Sequence, residues 1–225
     1  MGAPGAAEVR LDLQLIADMI RPGSRVLDIG SGDGTLIDHL FRTRSCDARG
    51  LEIDMGEVTR SVAHGLPVMH GDADSDLRHY PDAAFDYVVL SRTLHTVEKP
   101  LEVLREMLRI GARAVVSFTN FGHWTVRWSL LRTGRMPLTA IWARPWYETP
   151  NIHPCTIRDF FDLCRNQGWA VERWLAVDEA GRRAPWRRHV SMANLLAEQG
   201  LFLLRRMERP NEGQRAVEPG TPLRR

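Results

Sequence analysis

The chain has 225 residues, of which 44% are hydrophobic and 26% are charged, so one domain with a sizeable core can form. Its formal net charge at pH 7 is only +2, and the composition therefore does not favour a nucleic-acid partner. The three cysteines lack C-x-x-C spacing, and no stretch has the character of a membrane span or a signal peptide. We therefore expect reduced thiols, no metal, no membrane association and a cytoplasmic location.

The first predicted element is a helix that follows a disordered start. Residues 1–9 are rich in glycine, alanine and proline and are expected to be disordered. Pro22-Gly23 is expected to end the helix before the first strand. The apolar residues that recur at helical spacing in this region are Leu11, Leu15, Ile16, Met19 and Ile20.

Residues 25–36 predict a buried strand, a glycine loop and the start of a helix. The loop has the pattern Gly30-x-Gly32-x-Gly34, with Asp28 near the strand end. A dinucleotide fingerprint would need glycine at position 35, where Thr35 stands. The pattern instead resembles motif I of the class I S-adenosylmethionine (SAM) dependent methyltransferases. The inner face of the helix after the loop is predicted from Leu36, Ile37, Leu40 and Phe41.

The next strands are predicted to end in acidic residues. Residues 48–54 include Glu52, whose carboxylate could accept hydrogen bonds from a ribose diol. Residues 66–74 include Asp72, which could accept from the exocyclic amine of an adenine. Each acid taken alone could instead be a solvated strand end or a helix cap. Their order after the glycine loop favours a nucleotide-like ligand.

The remaining elements alternate between strand and helix. Residues 85–91 are nearly all apolar, as a central parallel strand requires. A helix is predicted at 100–110, a strand at 112–119, a helix at 156–165, and strands at 169–177 and 193–204. The sequence therefore predicts an α/β fold with a doubly wound, mostly parallel, seven-stranded sheet and its ligand at the carboxyl ends of the strands.

An aromatic-rich insertion is predicted over residues 121–155. All seven tryptophans lie between Trp124 and Trp186, and a connection of this length is usually functional when it is ordered. We expect a lid or a partner-binding face, and the alternative is a satellite hydrophobic cluster that covers the core. The domain is predicted to span residues 10–206, and residues 207–225 are predicted to be a disordered tail.

Several further segments resemble the MetW family of bacterial methionine-biosynthesis proteins, over roughly residues 10–206. The segments that carry this resemblance are 26–36, 85–94, 105–111, 116–122, 134–137, 146–153, 155–157 and 194–196. The chain departs from the family at three positions: Ser31 replaces a cysteine, and Arg92 and His95 replace the commoner glutamines.

The resemblance implies a Rossmann-like, class I SAM-methyltransferase fold that binds SAM or S-adenosylhomocysteine. It also implies a protein that acts with a homoserine O-acyltransferase. It does not by itself assure methyl transfer. The predicted cofactor-binding residues are Asp28, Gly30, Ser31, Gly32, Gly34, Glu52, Ile53, Asp72, Ala73 and Ser91.

No catalytic residue is assigned from the sequence. His95, His153 and Tyr147 are candidate general bases, but no orienting partner for them is visible, and positioning alone supplies much of the rate of methyl transfer. Two functions stay open: a SAM-binding accessory subunit of homoserine O-acyltransferase, and an active methyltransferase on a small molecule. A basic run could touch phosphate but is better explained as a solvated loop. It comprises Arg182, Arg183, Arg187 and Arg188.

Overall fold

A computed structural model of the chain describes residues 9–138, 148, 152–178, 182 and 189–207. The strands of this part are β1 (Arg25–Ile29), β2 (Asp47–Glu52), β3 (Val68–His70), β4 (Phe85–Ser91), β5 (Gly111–Thr119), β6 (Trp169–Val177) and β7 (Gln199–Arg206). The helices are α1 (Leu11–Ala17), α2 (Thr35–Arg44), α3 (Met55–Ala63), α4 (Ala73–Asp76), α5 (Pro100–Ile110), α6 (Trp124–Thr133), α7 (Ile157–Gln167) and α8 (Val190–Leu196). A short 3-10 helix spans Leu77–His79.

The seven strands form one sheet in the order β3-β2-β1-β4-β5-β7-β6. Strands β1 to β5 pair in parallel, while β7 runs antiparallel to both β5 and β6. The doubly wound, mostly parallel, seven-stranded sheet predicted from the sequence is therefore confirmed. Because β1 to β4 are parallel neighbours, their carboxyl ends lie at one edge, and that edge carries the glycine loop.

Helices cover both faces of the sheet. On one face, Val26 of β1 packs in a cluster with Ile16 of α1 and Ile37 of α2. On the other face, Leu27 packs in a cluster with Leu104 of α5 and Phe160 of α7. Successive residues of a strand point to opposite faces, so a strand buried on both must be apolar at every position. This explains why β4 is nearly all apolar.

Local sequence signals set the ends of several helices. Pro100 opens α5, where its missing N–H would have no helical partner in any case. The side chain of Thr156 accepts a hydrogen bond from Asp159 N, and the Asp159 side chain accepts from Thr156 N, which forms a capping box for α7. Phe41 was predicted on the inner face of α2, and this is wrong, because the residue is 61% exposed. The buried stripe of α2 is narrow and holds only Leu36, Ile37 and Leu40.

Three predicted boundaries also differ from the structure. The strand predicted at 193–204 is wrong over its first residues, which belong to α8, and β7 begins at Gln199. The apolar run from 66 to 74 is a strand only over Val68–His70, because Asp72 caps a helix that begins at Ala73. The first helix ends at Ala17, before the Pro22-Gly23 signal.

Some predictions lie outside the described residues. Of the predicted tails, only residues 9 and 207 are described, and residues 1–8 and 208–225 are not. Residues 139–147 and 149–151 of the predicted insertion are also outside the described part. Tyr147 and most of the basic run after Arg182 are also outside. None of the helices in the described ranges has the length and apolarity needed to cross a membrane.

Candidate cofactor site

The glycine loop after β1 has three residues in the left-handed region. Gly30, Gly32 and Gly34 have φ values of 69°, 53° and 75°. A Cβ on Gly30 would lie 2.6 Å from Thr93 Oγ1, and one on Gly34 would lie 2.5 Å from Leu66 Cδ1. At Gly32 nothing lies within 4 Å of that position. A side chain at either outer glycine would clash with Thr93 or Leu66, whereas Gly32 borders open space that a ligand could fill.

Glu52 at the end of β2 holds this loop in place. The residue is 8% exposed, and its Oε2 accepts a hydrogen bond from Gly32 N at 2.8 Å. Oε1 accepts from Asp54 N at 2.9 Å. Each carboxylate oxygen has a second lone pair, so both can still accept from a ligand hydroxyl. The ribose contact predicted for Glu52 is compatible with these bonds and stays a prediction.

Asp28 and Ser31 contribute buried polar atoms that the described part of the chain does not satisfy. Asp28 is 2% exposed, and its Oδ1 has no hydrogen-bond partner there. The buried Ser31 Oγ also has none. Burial, and then the negative charge of Glu52, raise the pKa of Asp28 to about 8. Buried polar groups require partners, and a ligand bound beside this open loop could supply them.

The other predicted site residues lie at the same edge of the sheet. The carbonyl of Ile53 contacts His70 Nε2 at 3.1 Å, which joins the ends of β2 and β3, and the Ile53 side chain is exposed. Asp72 caps α4 by accepting from Asp74 N at 2.9 Å. The helix-cap alternative for Asp72 therefore applies, and one carboxylate oxygen is engaged within the chain.

Ala73 and Ser91 make local contacts. Ala73 is partly buried against the main core cluster. Ser91 Oγ lies 3.3 Å from Ser117 Oγ on the neighbouring strand. Both residues border the edge where β3 and β4 end. Their roles toward a ligand stay predictions.

The structure gives both candidate histidines a structural position. His95 is 2% exposed; its Nδ1 lies 2.8 Å from the His153 carbonyl oxygen and its Nε2 lies 2.9 Å from the Thr119 carbonyl oxygen. Burial lowers the pKa of His95, despite the two backbone contacts that raise it. His153 Nε2 contacts the Glu98 carbonyl oxygen at 3.1 Å. The rings therefore link loops, and neither His95 nitrogen faces open space.

Sequence reasoning missed Asn120, which lies immediately after β5 and is fully buried. Its Nδ2 donates to the carbonyl oxygens of Asn194 at 3.0 Å and Ala197 at 2.7 Å. Its Oδ1 accepts from Gly122 N at 3.0 Å and Ile157 N at 3.2 Å. One side chain therefore joins β5, α7, α8 and the start of the insertion. Asn two residues before Gly, directly after a strand, is the signal that could have indicated this turn.

The chain is similar to known families in sequence. The family model described as methionine biosynthesis protein MetW matches residues 10–204. A bifunctional methionine biosynthesis protein MetXA/MetW of Rhodopirellula baltica is 32% identical over 193 residues, which cover 81% of this chain and 31% of the relative. The chain thus spans less than a third of the length of that relative. A demethylmenaquinone methyltransferase of Beutenbergia cavernae is 32% identical over 167 residues, or 66% of this chain and 67% of the relative.

The fold also has solved counterparts. A SAM-dependent methyltransferase from Archaeoglobus fulgidus superposes with a TM-score of 0.61 at 16% identity, covering 88% of this chain and 93% of that chain. At this level of identity the likeness concerns the fold alone. The predicted class I SAM-methyltransferase-like fold is thereby confirmed.

Proposed function

The chain belongs to the MetW family, and from that premise we propose that it is a SAM-binding subunit that associates with and supports a homoserine O-acyltransferase in methionine biosynthesis. The observation that carries this proposal is the Rhodopirellula baltica relative, in which MetXA and MetW regions share one polypeptide. Two regions that are fused in one relative are reasonable candidates for physical association as separate chains. The predicted cytoplasmic location is part of the same proposal.

The site fits SAM or S-adenosylhomocysteine. The unsatisfied Oδ1 of Asp28 would accept from the amino group of the methionyl part, and the free lone pairs of Glu52 would accept from the ribose. The open space beside Gly32 would let the ligand approach the backbone closely. When bound, SAM would supply a methyl group on a positively charged sulfur. Glu52 places negative charge on that side of the site.

A pair of glycine variants tests the cofactor directly. Gly32→Val should abolish binding of S-adenosylhomocysteine, because the new side chain would enter the ligand space. Gly23→Val is the matched control, since Gly23 has a φ of 74° and also borders open space, but lies in the turn that precedes β1. Both variants carry similar backbone strain. Calorimetric titration should show loss of binding in the first and not in the second; equal affinities would contradict the placement.

The proposed contact surface for the acyltransferase is the outer face of α6. Trp124, Trp128 and Leu131 are 50%, 53% and 79% exposed, and their spacing puts them on one side of the helix. Val126 is the buried residue of α6 and holds the opposite side against the domain. Exposed tryptophans in a contiguous apolar stripe are typical of binding hot spots.

The arginines in and just after α6 differ in whether they could pair with a partner protein. Arg127 Nε donates to the Gly122 carbonyl oxygen at 2.6 Å, so its guanidinium also supports the start of α6. Arg132 and Arg135 are exposed and could pair with acidic residues of a partner. The aromatic residues 142 and 146, predicted for the same surface, lie outside the described residues.

The partner proposal is tested by copurification and by affinity for homoserine O-acyltransferase. Trp128→Ala should weaken the complex by about 2 kcal/mol or more, which is roughly thirtyfold in Kd. Phe41→Ala is the matched control, because Phe41 is a similarly exposed aromatic residue on α2. Acyl transfer to homoserine should rise when the wild-type chain is added and respond less to Trp128→Ala. An acyltransferase that neither binds nor responds to the chain would overturn the accessory function.

The second candidate is an active methyltransferase on a small-molecule acceptor. The match to the Beutenbergia cavernae methyltransferase, which covers 66% of this chain and 67% of that relative, favours it. Both ring nitrogens of His95 contact backbone carbonyl oxygens, so this histidine is not placed to act as a general base. In-line positioning of the acceptor would then supply most of the rate of methyl transfer. Formation of S-adenosylhomocysteine by the isolated chain, with an acceptor and without the acyltransferase, would decide for this candidate.

A further inference from the structure

Two arginines share one buried carboxylate beside the glycine loop. Asp12, in the first turn of α1, is 5% exposed and accepts from Arg10 Nε at 3.1 Å and Nη2 at 2.9 Å. Arg92 Nε lies 3.9 Å from Asp12 Oδ2. A buried carboxylate requires such partners, and it also restricts where both guanidinium groups can lie. Asp12 therefore holds the two guanidinium groups close together.

The position of Arg92 relative to the loop follows from the sheet. Ile29 of β1 pairs with Leu90 of β4, so the residues after these two strands lie side by side. A Cβ on Gly30 would be 2.6 Å from the hydroxyl oxygen of Thr93, the residue that follows Arg92. Arg92 is therefore next to the loop that contains the unsatisfied Ser31 Oγ and follows Asp28.

Arg10 approaches the same loop from α1. The pKa of Asp33 in the loop is lowered: burial raises it, but the hydrogen bonds from Thr35 and then the positive charge of Arg10 lower it more. Arg10 also hydrogen-bonds to Asp12, the carboxylate that Arg92 approaches, so the two guanidinium groups lie close to each other. The two arginines therefore lie at the rim of the candidate cofactor site, one on the α1 side and one on the β4 side.

The backbone of Arg92 is unusual. Its φ is 60°, a conformation that glycine adopts far more easily than arginine. The other non-glycine residues with positive φ in the described part are Ser45, which ends α2, and Ala83, which lies in a turn. Arg92 N donates to Ser117 O at 3.0 Å and lies 3.1 Å from Ser117 Oγ, which fixes the turn. The side chain, which is 39% exposed, is thus directed by a rigid and unfavourable backbone.

We propose that Arg92, positioned with Arg10 by Asp12, binds the α-carboxylate of the methionyl part of SAM or S-adenosylhomocysteine. This inference rests on the proposed function, because it presupposes that ligand in the site. An arginine guanidinium matches a carboxylate in shape and donates two parallel hydrogen bonds to it. The amino acid end of the ligand would then have its ammonium group at Asp28 and its carboxylate at Arg92.

The test compares two ligands that differ only in the carboxylate. SAM and decarboxylated SAM are titrated into the wild-type chain and Arg92→Gly, which removes the guanidinium while relieving the positive φ. We expect Arg92→Gly to melt at or above the wild-type temperature and to bind SAM on the order of tenfold more weakly or worse. Its affinity for decarboxylated SAM should match that of the wild type. Arg92→Gln, which keeps a polar side chain, should behave similarly.

The control is Arg42→Ala, which removes an exposed arginine paired with Asp38 on α2 and should change neither affinity. An Arg92→Gly variant that binds both ligands as the wild type does, or weakens for both equally, would overturn the carboxylate contact and leave the cofactor assignment standing. A wild-type chain that binds neither ligand would overturn the proposed cofactor and this inference with it.

Discussion

Replacing Asp28 by asparagine should stabilise the ligand-free protein, although the residue is predicted to bind the cofactor. Burial and the charge of Glu52 raise the pKa of Asp28 from 3.8 to about 8. Between these values the folded chain holds a proton that the unfolded chain has released. The stability contributed by this group is therefore fully present below about pH 4 and is lost as the pH rises through 8.

The size of the effect follows from the pKa. At 1.36 kcal/mol for each pH unit between 3.8 and 7, the ionisable carboxyl lowers the free energy of unfolding by at most about 4 kcal/mol at pH 7. Asparagine has nearly the same shape as the protonated acid but does not titrate. Its amide must also be desolvated, so we expect a measured gain of about 1 to 4 kcal/mol.

Urea denaturation of the wild type and Asp28→Asn at pH 5, 6, 7 and 8 measures this gain. The difference in unfolding free energy should grow steadily with pH. Asp86→Asn is the control of opposite sign, because hydrogen bonds from Arg25 lower the pKa of Asp86. Since that pair is exposed, its loss should destabilise the protein by no more than about 1 kcal/mol at neutral pH. A difference between wild type and Asp28→Asn that is constant from pH 5 to 8 would refute the argument.

Three further outcomes are expected. Glu52→Gln should weaken binding of S-adenosylhomocysteine by about 1.5 to 3 kcal/mol in calorimetry, because a charge-assisted contact to the ribose is lost; unchanged affinity would remove Glu52 from the ligand site. His95→Ala should lower the melting temperature, because it leaves the carbonyl oxygens of His153 and Thr119 without their ring partner, yet S-adenosylhomocysteine affinity should stay within about twofold. Asn120→Ala should cost about 2 kcal/mol or more in urea denaturation, since its buried amide makes four hydrogen bonds; a loss below 0.5 kcal/mol, on the order of a surface substitution, would contradict that role.

The parts of the fold that could be predicted are those with a strong local signal. β4 is almost continuously apolar, α5 begins at a proline with leucines at helical spacing, and the glycine loop has a definite pattern. These signals depend on residues close together in the chain. The run from 193 to 204 has no clear period, so its division into α8 and β7 was missed.

The candidate site was only partly predictable for a related reason. The acids at the strand ends could be located because each follows its own apolar run. The raised pKa of Asp28 arises from burial beside Glu52, which no local pattern encodes. The contact between Asp12 and Arg92 joins residues 80 positions apart and depends on where α1 packs. Sequence spacing cannot supply contacts of that kind.

The hydrogen bonds around Asn120 have a consequence for how the insertion can vary. Phe121 N donates to the Cys155 carbonyl oxygen at 3.0 Å, so the chain enters and leaves residues 121–155 at nearly the same point. A segment whose ends lie this close together can change length at little cost, since each doubling of loop length costs only about 0.6 kcal/mol. The length of the insertion can therefore vary while the sheet and its glycine loop stay the same. Relatives could differ in this segment while they keep the same glycine loop.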